Sequence, residues 1–279
     1  MNEKTRLRAL LAGSAAAAVI SAAIRILITL TAYDSYYNVY EFGTPLPTVY
    51  HILLLVMLAG ICVCAYLFAP KRDVEAPLAM SDAAVFFSIL TGFMFAANAL
   101  LSLLNIARGA SPALLGILDI VFAVLSVLYF LGLTRKAVKP AAMAILSVAP
   151  IAWFSVTLIQ IYFDNSVIHS SPAKTIAEIA MLAAMIALLG ESRSHLGILG
   201  DRFHAIVSLG APILLLTHAL PAIILPGRLL TAYSDSYLHV IIEAAIAFFL
   251  WARYAGILTA AKPAEEAPAP DTSDETTEA

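Results

Sequence analysis

Apolar segments of about 20 residues recur along the whole chain, and that length matches a hydrocarbon core of about 30 Å at a helical rise of about 1.5 Å per residue. A chain built this way has one solution, because backbone groups in lipid must be bonded within their own segment. The sequence therefore predicts an all-α, polytopic membrane helix bundle over residues 1–261. Its spans lie near 9–33, 48–69, 83–107, 112–133, 141–163, 173–190, 203–226 and 237–260. Short connections favour antiparallel neighbours. Charged residues make up only 13% of the 279 residues, against about 25% in a soluble domain. The first span opens on a basic stretch and an Ala-rich centre, as a signal peptide does. Its apolar run is too long for one and holds Arg25, so a retained span is expected.

Orientation follows from Lys and Arg. Lys4, Arg6, Arg8, Lys71, Arg72, Arg135, Lys136, Lys139, Arg193, Arg202 and Lys262 fall at one end of the spans; Arg108, Lys174 and Arg228 fall at the other. The positive-inside rule then places both termini in the cytoplasm of a cell-membrane protein. Residues 262–279, rich in Pro, Ala, Glu and Thr, read as a disordered acidic cytoplasmic tail. Cys62 and Cys64 sit two apart in a span, on opposite sides of a helix, and imply neither a disulfide nor a chelate.

Two alignments suggest an internal duplication of four spans. TPLPTVYHIL, from Thr44, sets Pro45, Thr48 and His51 against Pro172, Thr175 and Glu178 of SPAKTIAEIA. At a nearly equal offset Asp119 falls on Glu243. The expected architecture is thus a 4+4 parallel repeat, which the prolines of the fifth and seventh spans (Pro150, Pro212, Pro221) weaken because the first and third lack them.

Polar residues are not scattered through the spans. His51, Asp119, Glu178 and Glu243 lie within about two turns of the outer ends of their segments, and Arg25, Asn98, Gln160 and His218 lie in the outer halves of theirs. The inner halves read as almost purely apolar, so a polar layer in the outer leaflet is expected. Asp235, His239 and Glu243 share a helix face at i, i+4 and i+8, which makes Asp235 and His239 the mouth of that layer. Arg25 continues a series of small residues, Gly13, Ala17 and Ser21, and is expected to face a carboxylate: Asp119, Glu178 or Glu243. Two uses of the layer remain open, a hydrated cavity and hydrogen bonds that only hold helices together at around 1 kcal/mol per pair. Arg253 reads as an interface anchor, and the GESRSHLGILGDRFH stretch, with Glu191, His195 and His204, reads as a solvated turn. Pro212 and Pro221 are expected to interrupt the seventh span around His218.

No H-E-x-x-H, Gly-rich phosphate loop, G-x-S-x-G elbow or Cys–His pair occurs, so no catalytic residue, metal or cofactor is assigned. Nothing points to nucleic acid. The first functional reading is a small transporter of a cation, proton or small polar solute, with Glu243 and Glu178 as acceptors, Asp119 a second acceptor and Arg25 a counter-ion. The second is a non-catalytic sensor, assembly factor or scaffold that meets protein partners through Tyr-rich outer loops or the acidic tail. The third is an enzyme acting on lipids of the outer leaflet.

Overall fold

The computed structural model describes residues 3–34, 37, 39–41, 43–69, 80–109, 113–135, 139–163, 171–198, 200–229 and 237–256. They form an all-α membrane helix bundle in which eight spans are long and apolar enough to cross a bilayer. The long helices are α1 (Glu3–Thr31), α2 (Leu46–Phe68), α3 (Asp82–Ala107), α4 (Ala113–Leu133), α7 (Pro172–His195), α8 (Asp201–Ile224) and α10 (Tyr237–Ala255). The fifth span is two helices, α5 (Pro140–Leu146) and α6 (Val148–Phe163), and α9 (Pro226–Leu229) is a single turn. Between α1 and α2 a two-residue ribbon, β1 (Tyr33–Asp34) with β2 (Val39–Tyr40), sets Tyr33 opposite Tyr40. Tail residues 262–279 and Asp235 lie outside the described residues.

Local sequence accounts for the helix limits. Ser81 caps α3 by accepting the Ala84 amide, with Asp82 in the first turn, where a negative charge suits the helix dipole. Pro residues open α2, α5 and α7 at positions where a missing amide costs nothing. The fifth span breaks at Ser147 because Pro150 has no amide for the Leu146 carbonyl and its ring crowds that oxygen. The seventh span behaves otherwise: α8 runs unbroken through Pro212 and Pro221, so the expected interruption amounts to single missing backbone bonds.

α8 is the hub, packed against α1, α2, α7 and α10, while α3 joins α4 to α10 and α6 bridges α4 and α7. Close approach rests on small residues. A Cβ on Gly190 would meet Val207 at 3.1 Å, and one on Gly132 would meet the Met143 sulfur at 3.1 Å, so both helix pairs touch where a side chain is missing. An aromatic cluster ties α3, α4, α6 and α10. Phe95 stacks on Phe130 at 5.7 Å and meets Trp153 edge-on at 5.0 Å, and Phe249 meets Phe130 edge-on at 5.3 Å. In lipid such packing, rather than escape from water, holds helices together. α2 is the peripheral span, with Ile52, Leu55, Val56 and Leu67 all outward.

The helix pairing gives the duplication little support. The hairpin α1–α2 has its counterpart in α6–α7, and α3–α4 in α8–α10. The extensive α7–α8 contact, however, has no comparable α2–α3 contact, and α8 alone is central.

Candidate functional site

α1 presents its buried face at Ser14, Ala17, Ser21, Arg25 and Thr29, one stripe at three- and four-residue spacing, and lays it along α8. Ser14 donates to the Leu209 carbonyl at 2.6 Å, and Thr217 donates to Ser21 at 2.8 Å. Arg25, only 2% exposed, donates through Nη1 to the Thr217 carbonyl at 2.8 Å. In a regular helix that carbonyl would accept the amide of residue 221, which is proline and has none. The guanidinium fills that place.

The expectation that Arg25 faces a carboxylate is therefore corrected. Among the described residues its hydrogen-bond partner is a carbonyl, and none of the three ion pairs includes it. A carbonyl carries only a partial charge, so among the described residues no full counter-charge meets this cation.

Next along α8, His218 faces α10. Its Nδ1 lies 2.5 Å from Oε2 of Glu243, and both side chains are buried. A hydrogen bond between a ring nitrogen and a carboxylate oxygen holds one proton between the two atoms. The other carboxylate oxygen, Oε1, is buried with no hydrogen-bond partner. Among the described residues no third imidazole, carboxylate or thiol joins the pair to make a metal-binding group.

Asp119 forms a second, separate group. Asn98 Nδ2 donates to its Oδ2 at 3.1 Å, and Ser102 makes a short hydrogen bond to the same oxygen. Oδ1 of Asp119 and Oδ1 of Asn98 are buried without partners. The remaining expected residues are more peripheral. Glu178 and Gln160 are half-buried on α7 and α6, and His51 is exposed, its ring against Tyr40 and Tyr50. His239 is half-buried and meets Trp153 edge-on at 4.9 Å. The outer-leaflet layer thus resolves into distinct hydrogen-bonded groups instead of one continuous lining.

The inner half of the bundle is not apolar. Glu191, expected in a solvated turn, lies on the last turns of α7, 1% exposed. It binds His204 Nε2 at 3.1 Å through one oxygen and accepts from Arg253 Nε at 3.2 Å through the other. Arg253, expected as an interface anchor, is 3% exposed. Tyr129 and His195 meet beside this group at 3.3 Å. The sequence reading missed it because three charged residues on α7, α8 and α10 carry no spacing signature. The one clue was Arg253 and Glu191 recurring at equal depth at the same end of their spans.

Outside the spans, burial pushes the Tyr40 hydroxyl up to about 12, and the nearby Arg25 charge only partly opposes this; Tyr33 is raised for the same reason. Both phenols stay protonated and keep a donor to offer.

Comparison with protein-family models, curated proteins and solved structures found nothing that matches this chain.

Proposed function

We propose that the chain is a small proton-linked transporter of the cell membrane, moving a small polar solute, with His218 and Glu243 as its proton-binding pair and both termini in the cytoplasm. The carrying observation is the 2.5 Å His218–Glu243 contact with one carboxylate oxygen left bare in a buried site. An ionised carboxylate with a single donor is costly in a low-dielectric interior. Water entry or a change in the packing of α8 on α10 would change what bonds that carboxylate. That is the coupling a proton-driven carrier needs.

The position of the pair supports the same reading. His218 lies between Pro212 and Pro221, on the helix that touches α1, α2, α7 and α10. Missing backbone bonds on either side lower the cost of bending α8, so protonation at one residue can shift the central helix. The orientation rests on the eleven-to-three bias of Lys and Arg between the two ends of the spans. Three acids against one Arg would by count favour a bound cation. Glu243 has an imidazole and Asp119 an amide and a hydroxyl, so a proton is the simpler positive species.

The test is reconstitution in liposomes that hold a pH-sensitive dye, with a panel of small acids, bases and neutral polar solutes added outside. Solute addition should change internal pH with wild-type protein and leave it unchanged with Glu243→Gln. A monodisperse wild-type protein silent to every class in the panel would remove the transport reading. If Glu243→Gln then altered only the melting temperature, the scaffold reading would gain.

A further inference from the structure

We infer that Arg25 is the receptor for a single oxyanion, a carboxylate or a phosphate, bound among α1, the Tyr33–Tyr40 ribbon, Tyr50 of α2 and the N-terminus of α7. Three independent observations carry this. Arg25 is buried, and among the described residues it has no carboxylate partner. A guanidinium has five N–H donors, and among the described residues its bond to the Thr217 carbonyl uses one. Burying such a charge without a counter-charge costs several kcal/mol, so the site is incomplete as an isolated structure.

The second observation is a set of unsatisfied hydroxyls around it. Tyr50 is 1% exposed, and its hydroxyl, beside Ser21 and within the field of Arg25, completes no hydrogen bond of proper geometry. Ser171 is fully buried beside the Tyr33 hydroxyl, and among the described residues its oxygen likewise completes no hydrogen bond of proper geometry. Tyr40 packs with Ile24, Ile28 and Tyr50, so the ribbon lies against the part of α1 that carries Arg25. Hydroxyl and guanidinium donors together suit an oxyanion, which accepts through several lone pairs.

The third is the end of α7. Ser171 is its N-cap residue and its side chain makes no capping bond, so the first-turn amides there lack that acceptor. Ile176 of α7 packs with Ile28, Ala32 and Tyr50, which brings this positive helix end to the same cluster as the outer part of α1. Asp34, Glu41 and Glu178 are the acids on or next to these elements, and among the described residues none of them forms an ion pair with Arg25.

A free solute and a lipid headgroup offer the same chemistry, and the experiment separates them. Purified full-length protein in a neutral detergent is titrated with sodium acetate, inorganic phosphate or short-chain phosphatidylglycerol. Sodium chloride at matched ionic strength is the blank, and thermal unfolding is the readout. At least one oxyanion should raise the melting temperature of the wild type above the chloride blank. Arg25→Gln and Tyr50→Phe should each weaken that response tenfold or more. Response to acetate or phosphate identifies a free solute, and response to phosphatidylglycerol alone identifies a headgroup.

If Arg25→Gln does not fold, Tyr50→Phe decides. It removes an unsatisfied hydroxyl, so the ligand-free protein should melt no lower than wild type while anion binding weakens. Loss of stability without loss of anion response would show a purely structural hydroxyl and overturn the inference. So would a wild type that no oxyanion stabilises, or equal stabilisation of wild type and both variants. The readout is binding, so anion binding without flux would remove the transport reading alone, and flux without anion binding would remove this one alone.

Discussion

Arg25 donates to the carbonyl of Thr217, the oxygen whose helical amide partner is missing because residue 221 is proline. One substitution in α8 thus creates the acceptor that a charged residue in α1 occupies, and the next residue, His218, holds the Glu243 proton contact. Pro221→Ala restores an amide that competes for the Thr217 carbonyl. Arg25→Gln should then destabilise a Pro221→Ala background less than wild type, with a coupling of about 0.5–3 kcal/mol in a double-mutant cycle. Equal costs in both backgrounds would mean that the two residues act independently. The cycle is read by denaturation in mixed micelles.

His218 and Glu243 should be coupled even more tightly. His218→Ala leaves a buried carboxylate with neither oxygen bonded, and breaking such a pair costs about 3–5 kcal/mol. Replacing both, as His218→Leu with Glu243→Met, removes the stranded charge and should recover most of that stability. Solute-driven pH change should be absent in the single and the double variants alike. Recovered stability with absent flux separates a proton site from a helix clamp, because a clamp would regain function with its stability.

The spans were legible because lipid imposes one length and one backbone solution, and α1, α3 and α4 end within a few residues of where hydropathy puts them. What hydropathy could not reveal was which polar residue meets which. Arg25 was expected to find an acid and instead found a carbonyl exposed by a proline four residues further along α8. That inference needed the α1–α8 pairing. Glu191 looks like a loop residue in sequence, since α7 continues about one turn past the apolar run, to His195. Charges satisfied by other helices do not end a helix.

Tyr40 supplies a prediction in pH. Its folded value, pushed up to about 12 by burial, lies above the ordinary phenol value of 10.0. The folded state therefore holds the proton more tightly than the unfolded chain. The associated stability is fully present below about pH 10 and declines as pH rises towards about 12. Tyr40→Phe should flatten the alkaline limb of the melting-temperature profile, and absorbance of ionised phenolate should show one group fewer ionising near pH 12. An unchanged alkaline limb would mean that Tyr40 titrates normally.

The Glu191–His204–Arg253 group makes the sharpest contrast with a residue of the same type elsewhere. Glu191→Gln removes the charge facing a buried guanidinium at 3.2 Å and an imidazole at 3.1 Å. Arg253 would then lose its carboxylate between α7, α8 and α10, at a cost of about 3–5 kcal/mol. Glu178→Gln, on the same helix but half-buried, should change stability by no more than about 0.5 kcal/mol. Because α7, α8 and α10 meet at Glu191, the first variant should also speed amide exchange in the adjoining turns of all three helices. Exchange confined to α7 would show that Glu191 does not join the three helices.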